Sequence, residues 1–207
     1  MKIAVIAANG RSGQAFVKKA LKAGHIINAG IRGNSHLEPH INLKIIECDA
    51  TNEDQLRNLL SGQEAVASFI GHVKGSEPNV QTVAINCVIK VMKELGIKRL
   101  VSLTGTGVRF PGDKITIIDH ILNLTIRIID PYRVEDGKNH VEAIKDSGLN
   151  WTVIRVLKLQ NLKPKPFRLL DNGPTKLYVS REEVAESVLQ VLENNRFNKK
   201  SPIIGKP

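Results

Sequence analysis

The sequence is poor in aromatic residues and in cysteine, and it has no long apolar run. Only eight of its 207 residues are Phe, Trp or Tyr, too few for the interleaving of rings and basic groups typical of nucleic-acid-binding surfaces. Its two cysteines, Cys48 and Cys87, are too few for a zinc site, and we expect buried free thiols in a reducing compartment. No apolar stretch approaches the ~20 residues that cross a bilayer, and no signal-peptide cleavage site follows the first strand. These absences predict a cytoplasmic protein without a membrane partner or a metal centre.

Acidic residues are also scarce relative to basic ones: the chain has 20 Asp and Glu but 30 Lys and Arg, which gives a net charge of +10. The excess is spread evenly, because residues 1–100 and residues 101–207 each carry a net charge of +5. There is no basic arm. A phosphorylated small molecule is therefore a better candidate partner than nucleic acid, which we consider a less favoured alternative.

Apolar runs alternate with segments of helical period, which predicts an α/β fold: one domain over residues 1–207 with a doubly wound, mostly parallel sheet and helices on both faces. Strands are expected at 2–7, 26–31, 43–47, 65–70, 99–103 and 151–155, and helices at 12–23, from Thr51, at 80–95 and from Ser180. A helix around 115–129 is possible. The basic segment 160–174 predicts an ordered loop or lid, and we expect residues 156–207 to supply the substrate-side loop and the last helix.

A glycine-rich turn, Ala7-Ala8-Asn9-Gly10-Arg11-Ser12-Gly13, joins the first strand to the first helix. In this context Gly10 would let backbone N–H groups approach a pyrophosphate, and Gly13 would allow the helix to pack closely on the strand. The first glycine of the usual motif is replaced by Ala7, which requires a negative φ at that position. The alternative interpretation is a tight turn with a purely structural role.

The opening KIAVIAANGRSGQAFVKKALKAGH resembles that of the atypical short-chain dehydrogenase/reductases, in particular the NmrA-like proteins and the flavin reductase (biliverdin reductase B-like) group. KRLVSLTG, SGLNWTVIR and YVSREEVAESVLQVL extend the resemblance over nearly the whole chain. The resemblance implies a Rossmann-type domain that binds NAD(P). In that family a proline follows the arginine that ends the SGLNWTVIR segment, whereas this chain has Val156 after Arg155.

The second strand ends in Arg32 where NAD-binding enzymes carry an acidic residue, which predicts a preference for NADP. Arg11 could approach the same 2′-phosphate, although both arginines could also be solvated surface residues. The resemblance places Asp49 and Ala50 beside the adenine, and Ile70 and Gly71 along the ribose and pyrophosphate. The full set of expected cofactor contacts is Ala7, Asn9, Gly10, Arg11, Ser12, Gly13, Arg32, Asp49, Ala50, Ile70, Gly71, Ser102, Thr104 and Arg155.

The Tyr-x-x-x-Lys pair of typical short-chain dehydrogenases is absent, because the residues four positions after Tyr132 and Tyr178 are Asp136 and Glu182. We expect Ser102 and Thr104 to face the nicotinamide, and the resemblance implies a pocket role for His140. Ser102 and His140 are thus the candidate catalytic residues. The alternatives are a strand-end hydroxyl at Ser102 and a surface His140 paired with Asp136. His72 is a further, weaker candidate for the pocket.

Together these features predict an NADPH-dependent reductase that transfers a hydride to a flavin, quinone or similar planar acceptor. The alternative is a redox sensor of the NmrA type, which binds NADP without chemistry and signals to a protein partner. The missing Tyr-x-x-x-Lys pair is compatible with both.

Overall fold

The computed structural model of the protein describes residues 1–73 and 75–207 and contains ten strands and six helices within these ranges. The elements are β1 (Lys2–Ile6), α1 (Arg11–Lys22), β2 (Ile26–Ile31), β3 (Leu43–Glu47), α2 (Glu53–Leu60), β4 (Ala65–Ser68), α3 (Val80–Glu94), β5 (Arg99–Gly105), α4 (Ile117–Ile129), α5 (Pro131–Asp146), β6 (Asn150–Val156), β7 (Lys158–Gln160), β8 (Arg168–Leu170), β9 (Tyr178–Ser180), α6 (Arg181–Glu193) and β10 (Ile203–Gly205). None of the helices in the described ranges is both long enough and apolar enough to span a membrane.

Eight of the strands form one sheet in the order β3-β2-β1-β4-β5-β6-β10-β8. All neighbours in it are parallel except β10 and β8. The strand order reverses between β1 and β4, and ligands of open α/β sheets bind at such a switch point. The expected single α/β domain with a doubly wound sheet is confirmed.

Apolar side chains fill a core on each face of the sheet, which explains why the central strands are continuous hydrophobic runs. On one face α1 and α6 pack through Phe16, Val17, Val184 and Val188. On the other, α2, α3 and α5 pack through residues such as Leu56, Ile85 and Ile144. The sheet is thus held rigidly, and its carboxyl edge is left open.

Most predicted elements are confirmed, and the differences have local causes. Helix α2 begins after Asn52 rather than Thr51, because the Asn52 side chain accepts hydrogen bonds from the Asp54 and Gln55 N–H groups. The Thr51 hydroxyl instead donates to Asp49. Both hydrogen bonds of the capping box that opens α6 are present: Glu183 N–H donates to Ser180 Oγ, and Ser180 N–H donates to the Glu183 carboxylate. The basic segment 160–174 is not entirely loop, since β8 lies within it and pairs with β10.

The conformation expected at Ala7 is wrong: its φ is +58°, in the left-handed region, not negative. The turn requires this because the Ala7 carbonyl accepts a hydrogen bond from Gly10 N–H while Ala8 N–H donates to the Gly30 carbonyl. An L-residue in this region costs roughly 1–2 kcal/mol, which explains the usual glycine. The chain therefore carries local backbone strain at the start of its glycine-rich turn.

Replacing Ala7 by glycine should relieve this strain. We expect Ala7→Gly to raise the free energy of unfolding by roughly 0.5–1 kcal/mol, since the gain in the native turn exceeds the added freedom of the unfolded chain. Denaturant unfolding measures the change. Ala8→Gly is the matched control, because Ala8 is fully buried and outside the left-handed region, so it should lose stability. A less stable Ala7→Gly protein would contradict the strain.

Candidate functional site

Two cavities open at the carboxyl edge of the sheet. The first, here called the long cleft, has a volume of about 730 Å³ and extends along the ends of β1, β2, β3 and β4 to the start of α3. The second, the side cavity, has about 320 Å³ and lies between the ends of β4, β5 and β6 and helices α4 and α5. Phe69, Ile70 and Gly71 line both. An elongated ligand in the long cleft can therefore reach the side cavity.

The N-terminus of α1 opens onto these cavities and is suited to an anion. Gly10, its N-cap residue, provides no side-chain cap, and the first turn contains no acidic residue. The N–H groups of Arg11, Ser12 and Gly13 precede the first helical hydrogen bond, which Gln14 donates to Gly10. A Cβ at Gly10 would lie 3.2 Å from the Ala7 carbonyl oxygen, so the position leaves little room for a side chain. Free donors and the helix dipole both favour a phosphate here.

Ten of the expected cofactor contacts line one or both cavities. Those in the long cleft are Ala7, Asn9, Gly10, Arg32, Asp49, Ala50, Ile70 and Gly71. Ser12 and Thr104 line the side cavity. Gly13 packs beneath the turn, where a Cβ would lie 2.5 Å from the Ala7 oxygen. Arg11, Ser102 and Arg155 line neither cavity.

Arg32 stands at the outer end of the long cleft with little to bind in the protein itself. Its side chain is 70% exposed, and its ion pair with Asp49 is a long 3.7 Å contact. Asp49 is engaged by Thr51, which donates through N–H at 2.9 Å and through its hydroxyl at 2.7 Å. These bonds, with a smaller effect of Arg32, lower the pKa of Asp49. The Arg32 guanidinium is therefore available to an anionic ligand.

Asn9 has a structural task at the same end of the cleft. Its Nδ2 donates to the Asn34 carbonyl at 2.7 Å, and its Oδ1 accepts from His36 N–H at 3.0 Å. The side chain thus ties the glycine-rich turn to the loop that follows Arg32. Asn9 shapes the cleft by holding its two walls together.

His72, the weaker candidate, belongs to the side cavity, and its partner is Asp136. The imidazole Nε2 lies 2.8 Å from Asp136 Oδ2. Burial alone would raise the pKa of Asp136, but hydrogen bonds from Thr82, Gln81 and His72 lower it below its usual range. An ionised carboxylate only accepts, so His72 Nε2 must carry the proton and Nδ1 is the nitrogen left for a ligand. The position of His72, directly after Gly71 at a strand end, is the sequence signal for this role.

Asp136 also caps α3 from outside that helix. It accepts hydrogen bonds from the N–H groups of Gln81 and Thr82, both at 2.9 Å, where Asn79 supplies no side-chain cap. The carboxylate thereby links α3, α5 and His72. This arrangement contradicts the pairing of Asp136 with His140, which the spacing of four residues allowed.

The candidate catalytic residues Ser102 and His140 do meet, but they do so in the interior. Ser102 Oγ lies 3.1 Å from His140 Nε2, and each residue is 1% exposed. Burial lowers the pKa of His140 to about 4, against a smaller opposing effect of Asp136. Neither side chain lines the side cavity. The structure therefore places neither group in contact with a ligand there, and His140 is not a surface residue either.

Arg155, an expected cofactor contact, is fully buried in a structural ion pair. Its guanidinium donates to Asp113 at 2.5 and 2.8 Å, and to the Ser201 carbonyl at 2.9 Å. It also stacks 4.7 Å from the Phe110 ring centroid. The loop after β5 supplies the carboxylate that holds this side chain, and the role of Arg155 as a cofactor contact stays a prediction.

Comparison with known proteins agrees with this geometry. Residues 7–195 match a family described as NAD(P)H-binding. The chain is 25% identical to the uncharacterized protein YwnB of Bacillus subtilis (strain 168), over 95% of this chain and 97% of that protein.

Similar solved structures share the fold. A wide-type short-chain dehydrogenase/reductase of Veillonella parvula DSM 2008, in complex with NADP, has a TM-score of 0.84 at 19% identity and covers 100% of this chain and 94% of its own. A candidate NADH-flavin reductase of Streptococcus pneumoniae TIGR4 has a TM-score of 0.75 at 22% identity over 100% of both chains. The expected NAD(P)-binding family and Rossmann-type fold are confirmed.

The buried His140 predicts a loss of stability in mild acid. Its pKa in the folded protein, about 4, lies below the ~6.5 of an unfolded chain, so the unfolded state binds the extra proton and stability falls as pH drops from about 6.5 toward 4. Between pH 7.5 and 5.5 we expect a loss of roughly 1 kcal/mol in the free energy of unfolding. Denaturant unfolding at both pH values measures it.

His140→Gln keeps a donor and an acceptor near Ser102 but does not titrate, so it should lack this part of the pH dependence. His40→Gln, at an exposed position, is the matched control and should behave like the wild type. Equal slopes in all three proteins would contradict the role given to His140.

Proposed function

Because this chain belongs to the NAD(P)H-binding family, we propose that it is an NADPH-dependent reductase that transfers a hydride to a planar acceptor such as a flavin or quinone. The observation that carries this proposal is the continuity of the long cleft with a largely apolar side cavity. The two cavities would hold the dinucleotide and the acceptor, respectively. When bound, the reduced nicotinamide would supply the hydride.

The residues of the long cleft fit a dinucleotide. The three N–H groups at the start of α1 would donate to the pyrophosphate. Because Gly10 has no side chain, the pyrophosphate could approach the backbone there. Ile70 and Gly71 would line the path from the long cleft into the side cavity.

The preference for NADPH rests on the end of β2. Arg32 is exposed, its ion pair with Asp49 after β3 is a long 3.7 Å contact, and the end of β2 itself carries no carboxylate that would select ribose hydroxyls. A guanidinium that binds a 2′-phosphate makes a charge-assisted contact, which favours NADPH over NADH.

The side cavity supports a flat, mostly apolar acceptor. Its apolar lining consists of Phe69, Ile70, Leu103, Val108, Ile126, Val134, Val156, Leu157 and Leu159. The polar residues of the lining are Ser12, His72, Gln81, Thr104, Thr106, Asn123 and Arg133. Both tyrosines lie outside it. Such a site can hold a ring against the nicotinamide, but it lacks the tyrosine acid used for alcohol and carbonyl chemistry.

His72 is the group we assign to proton transfer in this proposal. Asp136 fixes the ring by accepting from Nε2–H, which leaves Nδ1 as the nitrogen available to a ligand. A protonated Nδ1 would donate to an acceptor whose ring gains negative charge on reduction. Asp136 acts through His72 and is a positioning residue.

The alternative function is a redox sensor of the NmrA type. It is favoured by the interior position of Ser102 and His140, which leaves few groups for chemistry in the side cavity. A sensor would bind NADPH without oxidising it in the presence of any flavin or quinone.

Cofactor preference can be tested at Arg32. We expect the wild type to bind NADPH roughly 10- to 100-fold more tightly than NADH, and Arg32→Asp to remove or invert this ratio by replacing the phosphate partner with a like charge. Calorimetric titration with both cofactors provides the two affinities. Arg168→Asp makes the same charge change on the edge strand β8, away from the cleft, and should preserve the ratio. Equal wild-type affinities would refute the assignment of Arg32.

Turnover tests the reductase proposal and His72 together. We expect the wild type to oxidise NADPH with a quinone or free flavin, and His72→Gln to lower kcat/KM roughly 100-fold without weakening NADPH binding. Stopped-flow absorbance of NADPH gives both results.

Two controls make this test specific. Gly10→Val should abolish activity by blocking the cofactor, whereas His40→Gln should leave it unchanged. If NADPH binds but is not oxidised in the presence of any flavin or quinone, the sensor is the correct function. If activity is present and His72→Gln matches the wild type, the reductase stands and the role of His72 is wrong.

A further inference from the structure

Helix α4 turns a polar face toward the protein and an apolar face toward solvent, which is the reverse of an ordinary surface helix. Toward the protein it presents Asp119, its only fully buried residue, which accepts from Arg109 at 2.9 Å and from Thr106 at 3.0 Å. Asn123 donates to Thr106 at 3.1 Å on the same side. The helix is therefore held to its own domain by polar contacts more than by hydrophobic burial.

Toward solvent α4 and its flanks present aliphatic side chains. The exposed members of this outer face are Ile115 (46%), Ile117 (80%), Ile118 (53%), Ile121 (54%), Leu124 (51%), Ile128 (73%), Ile129 (73%) and Tyr132 (66%). Positions 117, 121, 124 and 128 follow the helical repeat, so they form one continuous stripe. Single exposed apolar residues are ordinary, whereas eight within residues 115–132, four of them in one stripe, are not.

The size of the outer face matches a protein interface. Its residues are equivalent to about five fully exposed large side chains, or roughly 900 Å² of surface. The largest patch of a typical monomer is about 300–600 Å², and a stable dimer buries about 800 Å² on each partner. One copy of this face thus provides the area that one side of a dimer needs.

We propose that the outer face of α4 is a homodimer interface, in which α4 of one copy packs on α4 of a second copy around a two-fold axis. Such an interface is self-complementary because both copies contribute the same stripe. The charges beside it are of both signs, with Arg127 and Arg133 next to Asp130 and Glu135, and Arg133 pairs with Asp130 at 3.2 Å. This mixed border suits a second copy better than an anionic lipid surface, which would favour basic groups alone. The proposal does not depend on the reductase function.

Sedimentation velocity of the full chain, from low micromolar to submillimolar concentration, tests the proposal. We expect a wild-type species of twice 22.8 kDa. The double variant Ile121→Asp/Ile128→Asp should raise the dimer dissociation constant at least about 100-fold, because it places charges within the interface. Ile41→Asp introduces the same charge at a 97% exposed isoleucine elsewhere and should remain dimeric.

Folding of each variant is checked by circular dichroism and by NADPH binding, and Ile121→Lys/Ile128→Lys replaces the aspartate variant if that protein does not fold. A wild type that is monomeric at the highest concentration overturns the proposal. So does a folded double variant that remains dimeric, since the interface would then lie elsewhere. A wild type that stays monomeric but binds phosphatidylserine vesicles would assign the face to a membrane surface and would also overturn it.

Discussion

The close packing of α1 on the end of β1 is the constraint on which the site depends. A Cβ at position 13 would lie 2.5 Å from the Ala7 oxygen and 2.8 Å from the Ala8 Cα, so only glycine permits this approach. This close packing directs the free N–H groups of α1 into the gap between β1 and β4, where the strand order reverses. The left-handed Ala7 belongs to the same turn, so the backbone strain lies in the segment that lines the long cleft.

Much of the fold follows from the sequence because a parallel sheet covered on both faces requires apolar strands, and those runs are visible. Elements that depend on tertiary pairing are less visible. Strands β8, β9 and β10 have three residues each and exist because a partner strand is present. The start of α2 was displaced by one residue, since Thr51 and Asn52 are both good N-caps and only the competing bond to Asp49 decides between them.

In the site, too, positions fixed by the strands were easier to predict than contacts that depend on tertiary packing. Arg32 and Gly71 line the long cleft as expected, Arg32 from its position at the end of the second strand and Gly71 from the family resemblance. The contacts of side chains on helices were less predictable. Spacing put Asp136 and His140 on similar faces of α5, but the Asp136 carboxylate is satisfied by two N–H groups of α3 and by His72, while His140 turns to Ser102. The burial of Arg155 was not predictable, because its partner, Asp113, lies 42 positions away in a loop without periodicity.

Helix α4 lies between the side cavity and the outer face, so its two sides face different environments. Asn123 and Ile126 form part of the side-cavity wall, whereas the stripe from Ile117 to Ile128 faces outward. The helix is fastened between them by polar bonds to Asp119, which have well-defined geometry but a modest net free energy. Contacts on either side therefore act on the position of one rigid element. By thermodynamic linkage, whatever covers the outer stripe and whatever fills the cavity must affect each other's binding if either displaces the helix.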